Sequence, residues 1–187
     1  MRKLLTLLLI MLSLSGCTAK NHELEQMMTF RASLLSAMGC QFSANITADY
    51  HDELYQFTLD CQCDEEGNLY FEVQTPESIS GINGSIRGSG GKIYFENETA
   101  LAFETMADGQ ITPITAAWVF VKALRSGYVT SCGIEDDDTR VSIEDSYQEN
   151  GLRLDIWFTP ENNPKHAEIL WKDRRILSLD VVDFEIL

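Results

Sequence analysis

The sequence predicts a mainly β, α+β domain: a curved antiparallel half-barrel sheet of about ten strands, with a long N-terminal helix and a second, buried helix covering its concave face. Three patterns predict it. Apolar and polar residues alternate with a period of two over most of the chain after residue 40. One amphipathic stripe at three- and four-residue spacing precedes that alternation. One later helical segment is apolar on nearly every side, so most of its surface must be buried.

Ahead of these elements, Arg2 and Lys3 precede an apolar run from Leu4 to Leu14, broken only by Thr6 and Ser13. The run is shorter than the ~20 residues of a comfortable membrane span, and it reads as the core of a secretory signal. It ends in Leu14-Ser15-Gly16-Cys17, which resembles a bacterial lipoprotein cleavage box. The expected organisation is a signal peptide over 1–16, a lipidated tether over 17–23 beginning at Cys17, and a single domain over 24–187. Cleavage removes Arg2 and Lys3 and leaves 12 basic against 29 acidic side chains, a net charge of −17. Two or more acyl chains on Cys17 make a stable anchor where one does not. The expected location is therefore the outer side of a cell membrane.

Leu24, Met27, Met28, Leu34, Leu35 and Met38 recur at helical spacing, with Arg31 inside the stripe and Gly39 after it, so a helix is expected over about 22–38. Its polar face (Glu23, Glu25, Gln26, Ser33 and Ser36) is not basic, which favours packing on its own domain over lying on a membrane. Cys40–Tyr50, Tyr55–Cys63 and Leu69–Gln74 then alternate as three strands joined by turns at His51-Asp52 and Glu66-Gly67-Asn68, an antiparallel meander. Pro76–Gly81 reads as one helical turn. Short strands follow at Ile82–Arg87, Lys92–Phe95 and Ala100–Phe103, with Gly88-Ser89-Gly90-Gly91 between the first two. The second helix is expected over Ile111–Arg125, ended by Ser126-Gly127. Trp118 and Phe120 project from it about 200° apart, so one flat surface cannot receive both. After Tyr128–Ile134 and an acidic loop at Glu135–Asp138, strands are expected at Val141–Tyr147, Leu152–Thr159, Ala167–Trp171 and Arg175–Phe184.

Composition excludes several functions. Hydrophobic residues make up 44% and charged residues 23%, a globular rather than a disordered balance. With 14 Lys and Arg against 29 Asp and Glu, the net charge is −15, and no basic cluster is present to face phosphates, so nucleic acid is not a partner. His22, His51 and His166 stand apart, without metal spacing or a nucleophile motif, and the Glu135–Asp138 run lacks the alternating oxygens and glycine of a calcium loop. No cofactor, metal or catalytic residue is expected.

Setting Cys17 aside, Cys40, Cys61, Cys63 and Cys132 are an even number outside the cytoplasm. With His51-Asp52 as the turn, Tyr50 faces Glu53 and Cys40 falls opposite Cys63, with Cys61 one diagonal away on the same face. A disulfide from Cys40 to either is within reach, and Cys132 takes the remaining thiol or stays free.

The signal box, the N-terminal helix, the meander, Pro76-Glu77-Ser78-Ile79-Ser80-Gly81-Ile82, Gly90-Gly91-Lys92-Ile93-Tyr94-Phe95 and the helix after Thr112-Pro113 are together similar to small lipoproteins of Gram-positive anaerobes. That group resembles in fold the lipoprotein carrier LolA and the mycobacterial lipoproteins LppX and LprG. The resemblance implies a non-enzymatic domain that binds a lipid, a lipidated protein or another protein. The candidate lining of an apolar cavity is Phe42, Phe57, Leu59, Phe71, Trp118 and Val121. The alternatives are that these side chains fill a solid core, or that the domain serves a protein partner in envelope or spore assembly through a strand edge or its acidic face.

Overall fold

The computed structural model describes residues 22–88, 91–96, 103–148 and 150–187. The expected signal peptide, Cys17, most of the tether, Ser89-Gly90, residues 100–102 of an expected strand and Glu149 lie outside the described residues.

The chain begins with helix α1 (His22–Ser36), then runs through β1 (Gly39–Asp49), β2 (Leu54–Asp64), β3 (Leu69–Thr75), β4 (Asn83–Arg87) and β5 (Lys92–Phe95). Helix α2 (Ala116–Ser126) follows, and then β6 (Tyr128–Glu135), β7 (Asp138–Glu144), β8 (Arg153–Phe158), β9 (Pro164–Trp171) and β10 (Arg174–Ile186). Among the described residues the strands form one antiparallel sheet in the order β5-β4-β3-β2-β1-β10-β9-β8-β7-β6. Two five-stranded meanders thus meet where the first strand pairs with the last. The architecture is a mainly β, open half-barrel with two helices, as the alternation predicts.

The β1–β2 hairpin has the expected register: Tyr50 donates its N–H to Glu53 O, and Cys40 faces Cys63. Gly39 permits the close start of this pair, since a Cβ there would lie 2.0 Å from Cys63 O. Several boundaries differ from expectation. Asp136 and Asp137 both adopt positive φ, 50° and 72°. They form a two-residue hairpin turn whose twist matches the strands it joins. The expected acidic loop is therefore only this turn, and β7 starts at Asp138 rather than Val141. The helix expected over 111–125 starts later: Ile111 makes an isolated β-bridge with Met106, and Pro113–Thr115 is one 3-10 turn. Thr112 and Thr115 cap that turn reciprocally, which fixes where the helix begins.

The core lies between the concave face and the helices. α2 buries Ala116, Ala117, Trp118, Val119, Phe120, Val121, Ala123 and Leu124. It ends where Gly127 turns extended, a position where a Cβ would strike Ile143 at 2.3 Å. Arg31 of α1 secures the same end, donating from Nε to Leu124 O (2.7 Å) and from Nη2 to Ala123 O (3.1 Å). An aromatic chain links both helices to the sheet centre. Ring centroids lie 5.2 Å apart for Phe30–Phe158, 5.8 Å for Phe30–Phe184, 5.5 Å for Phe42–Phe184 and 5.7 Å for Phe42–Phe120.

Phe184 reaches this chain through a bulge. Gln41 pairs with Glu185 and Ser43 with Val182, so Phe42 faces two residues of β10, Asp183 and Phe184. Asp183 absorbs the extra residue at φ 52°. Inward residues are thus Leu179 and Val181 before it, and Phe184 and Ile186 after it. Asp183→Val, β-branched at positive φ, is expected to lower unfolding stability by roughly 1–3 kcal/mol in urea titrations, while Asp183→Gly stays near wild type. Equal losses in both would contradict this role for the bulge.

Candidate functional site

The six residues expected to line a cavity belong to one packed core. Leu59 is 0% exposed, Val121 1%, Phe71 3%, Phe42 and Phe57 4%, and Trp118 8%. Phe57 stacks on Phe103 with centroids 5.4 Å apart, and Phe42 packs edge-on to Phe120. The solid-core alternative therefore describes Phe57 and Leu59, whose concavity α2 occupies, and Val121, which α2 itself carries into it. Phe42 and Phe71 also border a hollow on β1–β4, and Trp118, besides meeting the core, borders space beside α2.

That space is a hollow of about 500 Å³ at the mouth of the half-barrel, bordered by Leu35 of α1, Gly67 and Gly88 of two turns, and Trp118, Lys122 and Arg125 of α2. Its volume lies within the ~300–1,000 Å³ range of small-molecule sites. A second hollow of about 220 Å³ shares Trp118, Lys122 and Ser126 and continues along α2 toward Asp145 and Leu152.

Each wall has a local cause. Gly91, at φ 63°, lies flat on the indole, where a Cβ would come within 2.7 Å of the Trp118 ring. Lys122, one turn on from Trp118, holds its Nζ 5.0 Å from the ring centroid, a cation–π contact. Arg125 donates from Nη2 to Glu65 O at 2.6 Å, which ties α2 to the β2–β3 turn. Gly67, at φ 85°, supplies the left-handed backbone of that turn. Arg125 Nη1 is buried and finds no acceptor among the described residues. A buried guanidinium nitrogen without an acceptor is costly. The mouth thus combines an aromatic and aliphatic floor with two cations, Lys122 and Arg125, and one carboxylate, Glu66, in a chain of net charge −15. Sequence reasoning did not single out Lys122, Arg125 or the two turn glycines. The available signal was a pair of cations three residues apart on an otherwise apolar helix.

A further hollow of about 540 Å³ lies on the outer face of β1–β4, bordered by Ser43, Asp60, Tyr70, Glu72 and Asn83 among others. Its polar side chains partner one another in part, as in the 2.6 Å bond from Ser43 Oγ to Asp60. The histidines are dispersed: His51 contacts Arg174, and His166 on β9 lies 2.7 Å from Asp180.

Cys40, Cys61, Cys63 and Cys132 carry free thiols, the first three buried. Burial pushes the Cys61 thiol up, reinforced by the Asp60 carboxylate. The facing Cys63 thiol, with burial, pushes the Cys40 thiol up, and Cys63 Sγ itself donates to the Asp64 carbonyl at 3.5 Å. Burial also raises Cys132, half-buried on β6.

No family model matches the sequence, and no curated protein matches it. Several solved structures share its general shape. One is an uncharacterized conserved protein from Thermus thermophilus, at 9% identity over 89% of this chain and 88% of that one, TM-score 0.45. A LolA superfamily protein from Nitrosomonas europaea matches at 11% identity over 91% and 94% of the two chains, TM-score 0.40. The Mycobacterium tuberculosis lipoprotein LppX matches at 12% identity over 86% and 93%, TM-score 0.40. These are distant likenesses of overall architecture.

The burial order predicts thiol reactivity. In reduced, folded protein, iodoacetamide should modify Cys132 first, with Cys40, Cys61 and Cys63 alkylated only on unfolding, as read by time-resolved peptide mass spectrometry. Early modification of Cys61 would contradict the packing described.

Proposed function

We propose that the chain is a non-enzymatic binding domain, held outside the cytoplasm by a lipidated Cys17, that takes a lipid-like amphiphile with an anionic head at the mouth of its half-barrel. The observation that carries the reading is the pairing of Trp118 and Leu35 with Lys122 and Arg125 around one hollow. Apolar surface there offers burial for a hydrocarbon segment at ~25 cal/mol per Å². Lys122 and the Arg125 guanidinium, which border the hollow, offer charge-assisted donors to a carboxylate or phosphate. The filled interior limits how far a chain can enter, so the ligand lies along α2 rather than inside the sheet.

The same reading places the four cysteines in an oxidising space, where Cys40 and Cys63 form a disulfide. As directly opposed residues of an antiparallel pair, their Cα atoms lie about 4.5–5.5 Å apart, within the ~4.4–6.8 Å that disulfides join. A loop of about 24 residues corresponds to roughly 3 kcal/mol of stabilisation in the chain-entropy account. Non-reducing peptide maps of exported protein should contain a Cys40–Cys63 linked pair. Four free thiols would contradict it.

Binding is tested with a brominated C16 fatty acid, which quenches indole fluorescence on contact. Wild type is expected to show saturable quenching, weakened about tenfold or more in Lys122→Glu, since about 1.4 kcal/mol corresponds to a factor of ten. Absence of saturable quenching in wild type, or unchanged affinity in Lys122→Glu, would overturn the proposed site.

A further inference from the structure

We infer that α1 docks the domain onto the surface of a lipid bilayer through an exposed apolar seam, separate from the face it packs on the sheet. Helix α1 buries Met27, Phe30 and Leu34, yet Leu24 remains 40% exposed, Met28 47%, Leu35 52% and, just past its end, Met38 77%. At 100° per residue, Leu24, Met28, Arg31 and Leu35 fall within an arc of about 60°. The buried residues lie to one side of that arc. Glu25, Gln26, Thr29, Ser33 and Ser36 lie away from it, about 100–200° round from Leu24. The helix therefore has two adjoining apolar faces, and the described residues of its domain cover only one.

Arg31, the charged residue within the seam, does not offer its charge outward. It is half-buried, and its guanidinium is turned to the carbonyls of Ala123 and Leu124 at the end of α2. The seam is thus apolar at its surface along the length of the helix.

The occupant follows from where the seam stands in the chain. This inference rests on the proposed anchoring at Cys17. Only five residue steps separate Cys17 from His22, the start of α1, a reach of at most about 18 Å. A lipid on Cys17 holds α1 beside the bilayer at high effective concentration, so a contact too weak to recruit the protein from solution still orients it. Leu35 belongs both to the seam and to the mouth hollow. Docking along the seam therefore brings that hollow to the headgroup layer, where an amphiphile can pass between bilayer and protein without crossing water.

The test uses the full lipidated chain in phosphatidylcholine vesicles containing a phosphatidylcholine with a diazirine in its acyl chain. Intact mass first reports whether Cys17 carries diacylglycerol. An unmodified chain overturns the anchoring and the docking that depends on it, whereas a modified chain tests docking alone. After illumination, label is expected in the peptide spanning residues 24–38 at about tenfold the level in peptides carrying Ile134 or Val182, the order of effect of burying a few apolar side chains. Leu24→Gln combined with Met28→Gln, both exposed and outside the hollow, should abolish most of that excess while leaving fatty-acid quenching unchanged. Uniform labelling, label concentrated elsewhere, or α1-to-α1 cross-links between two chains would overturn the inference.

Discussion

The structure depends on one constraint: a helix apolar on nearly every side has to be enclosed. A single flat sheet could cover only part of α2, because Phe120 and Trp118 project in different directions. The strands curve around it instead, and α1 closes part of what remains. The Phe30, Phe42, Phe120, Phe158 and Phe184 chain is where this enclosure is tightest. Edge-on and offset aromatic pairs contribute about 0.5–1.5 kcal/mol each beyond their buried area. Because β1 and β10 pair at the sheet centre, two of these rings join the first and last strands to the same helix.

The enclosure also determines where binding can occur. A half-barrel without a plug offers its concavity, whereas this one fills it with α2. Two hollows follow the exposed edge of that helix, and there the sequence changes character. Lys122 and Arg125 interrupt an apolar helix at the turn where it leaves the core. Arg31, from the other helix, neutralises the carbonyl end of α2 with two hydrogen bonds. Helix end, cations and indole are thus fixed by one set of contacts, which preorganises the mouth.

Much of the architecture was legible in the residues. Strict alternation in β1 and β2, with His51-Asp52 between them, sets both the turn and the register, and so the facing of Cys40 and Cys63. The phase change in β10 was not legible, because it depends on Asp183 adopting a left-handed conformation that the local sequence does not demand. The compact turn at Asp136-Asp137 was hidden for a similar reason: a run of four acids suggests a solvated loop, although Asp tolerates positive φ. At the site, Trp118 was legible as a residue that could not pack like Phe120. Lys122 and Arg125 were not, because a cation on a helix is ordinarily a solvated residue, and their meaning comes from the turns at Gly67 and Gly88 that fold over them.

The central claim is that ligand occupies the mouth and leaves the filled interior undisturbed. Backbone amide chemical shifts, recorded by NMR during titration with a long-chain fatty acid, test it most directly. The account predicts saturable shifts clustered at Leu35, Gly67, Trp118, Lys122 and Arg125, with Phe57, Leu59 and Val121 unmoved. Shifts centred on Phe57, Leu59 and Val121, or no saturable shift anywhere, would contradict it.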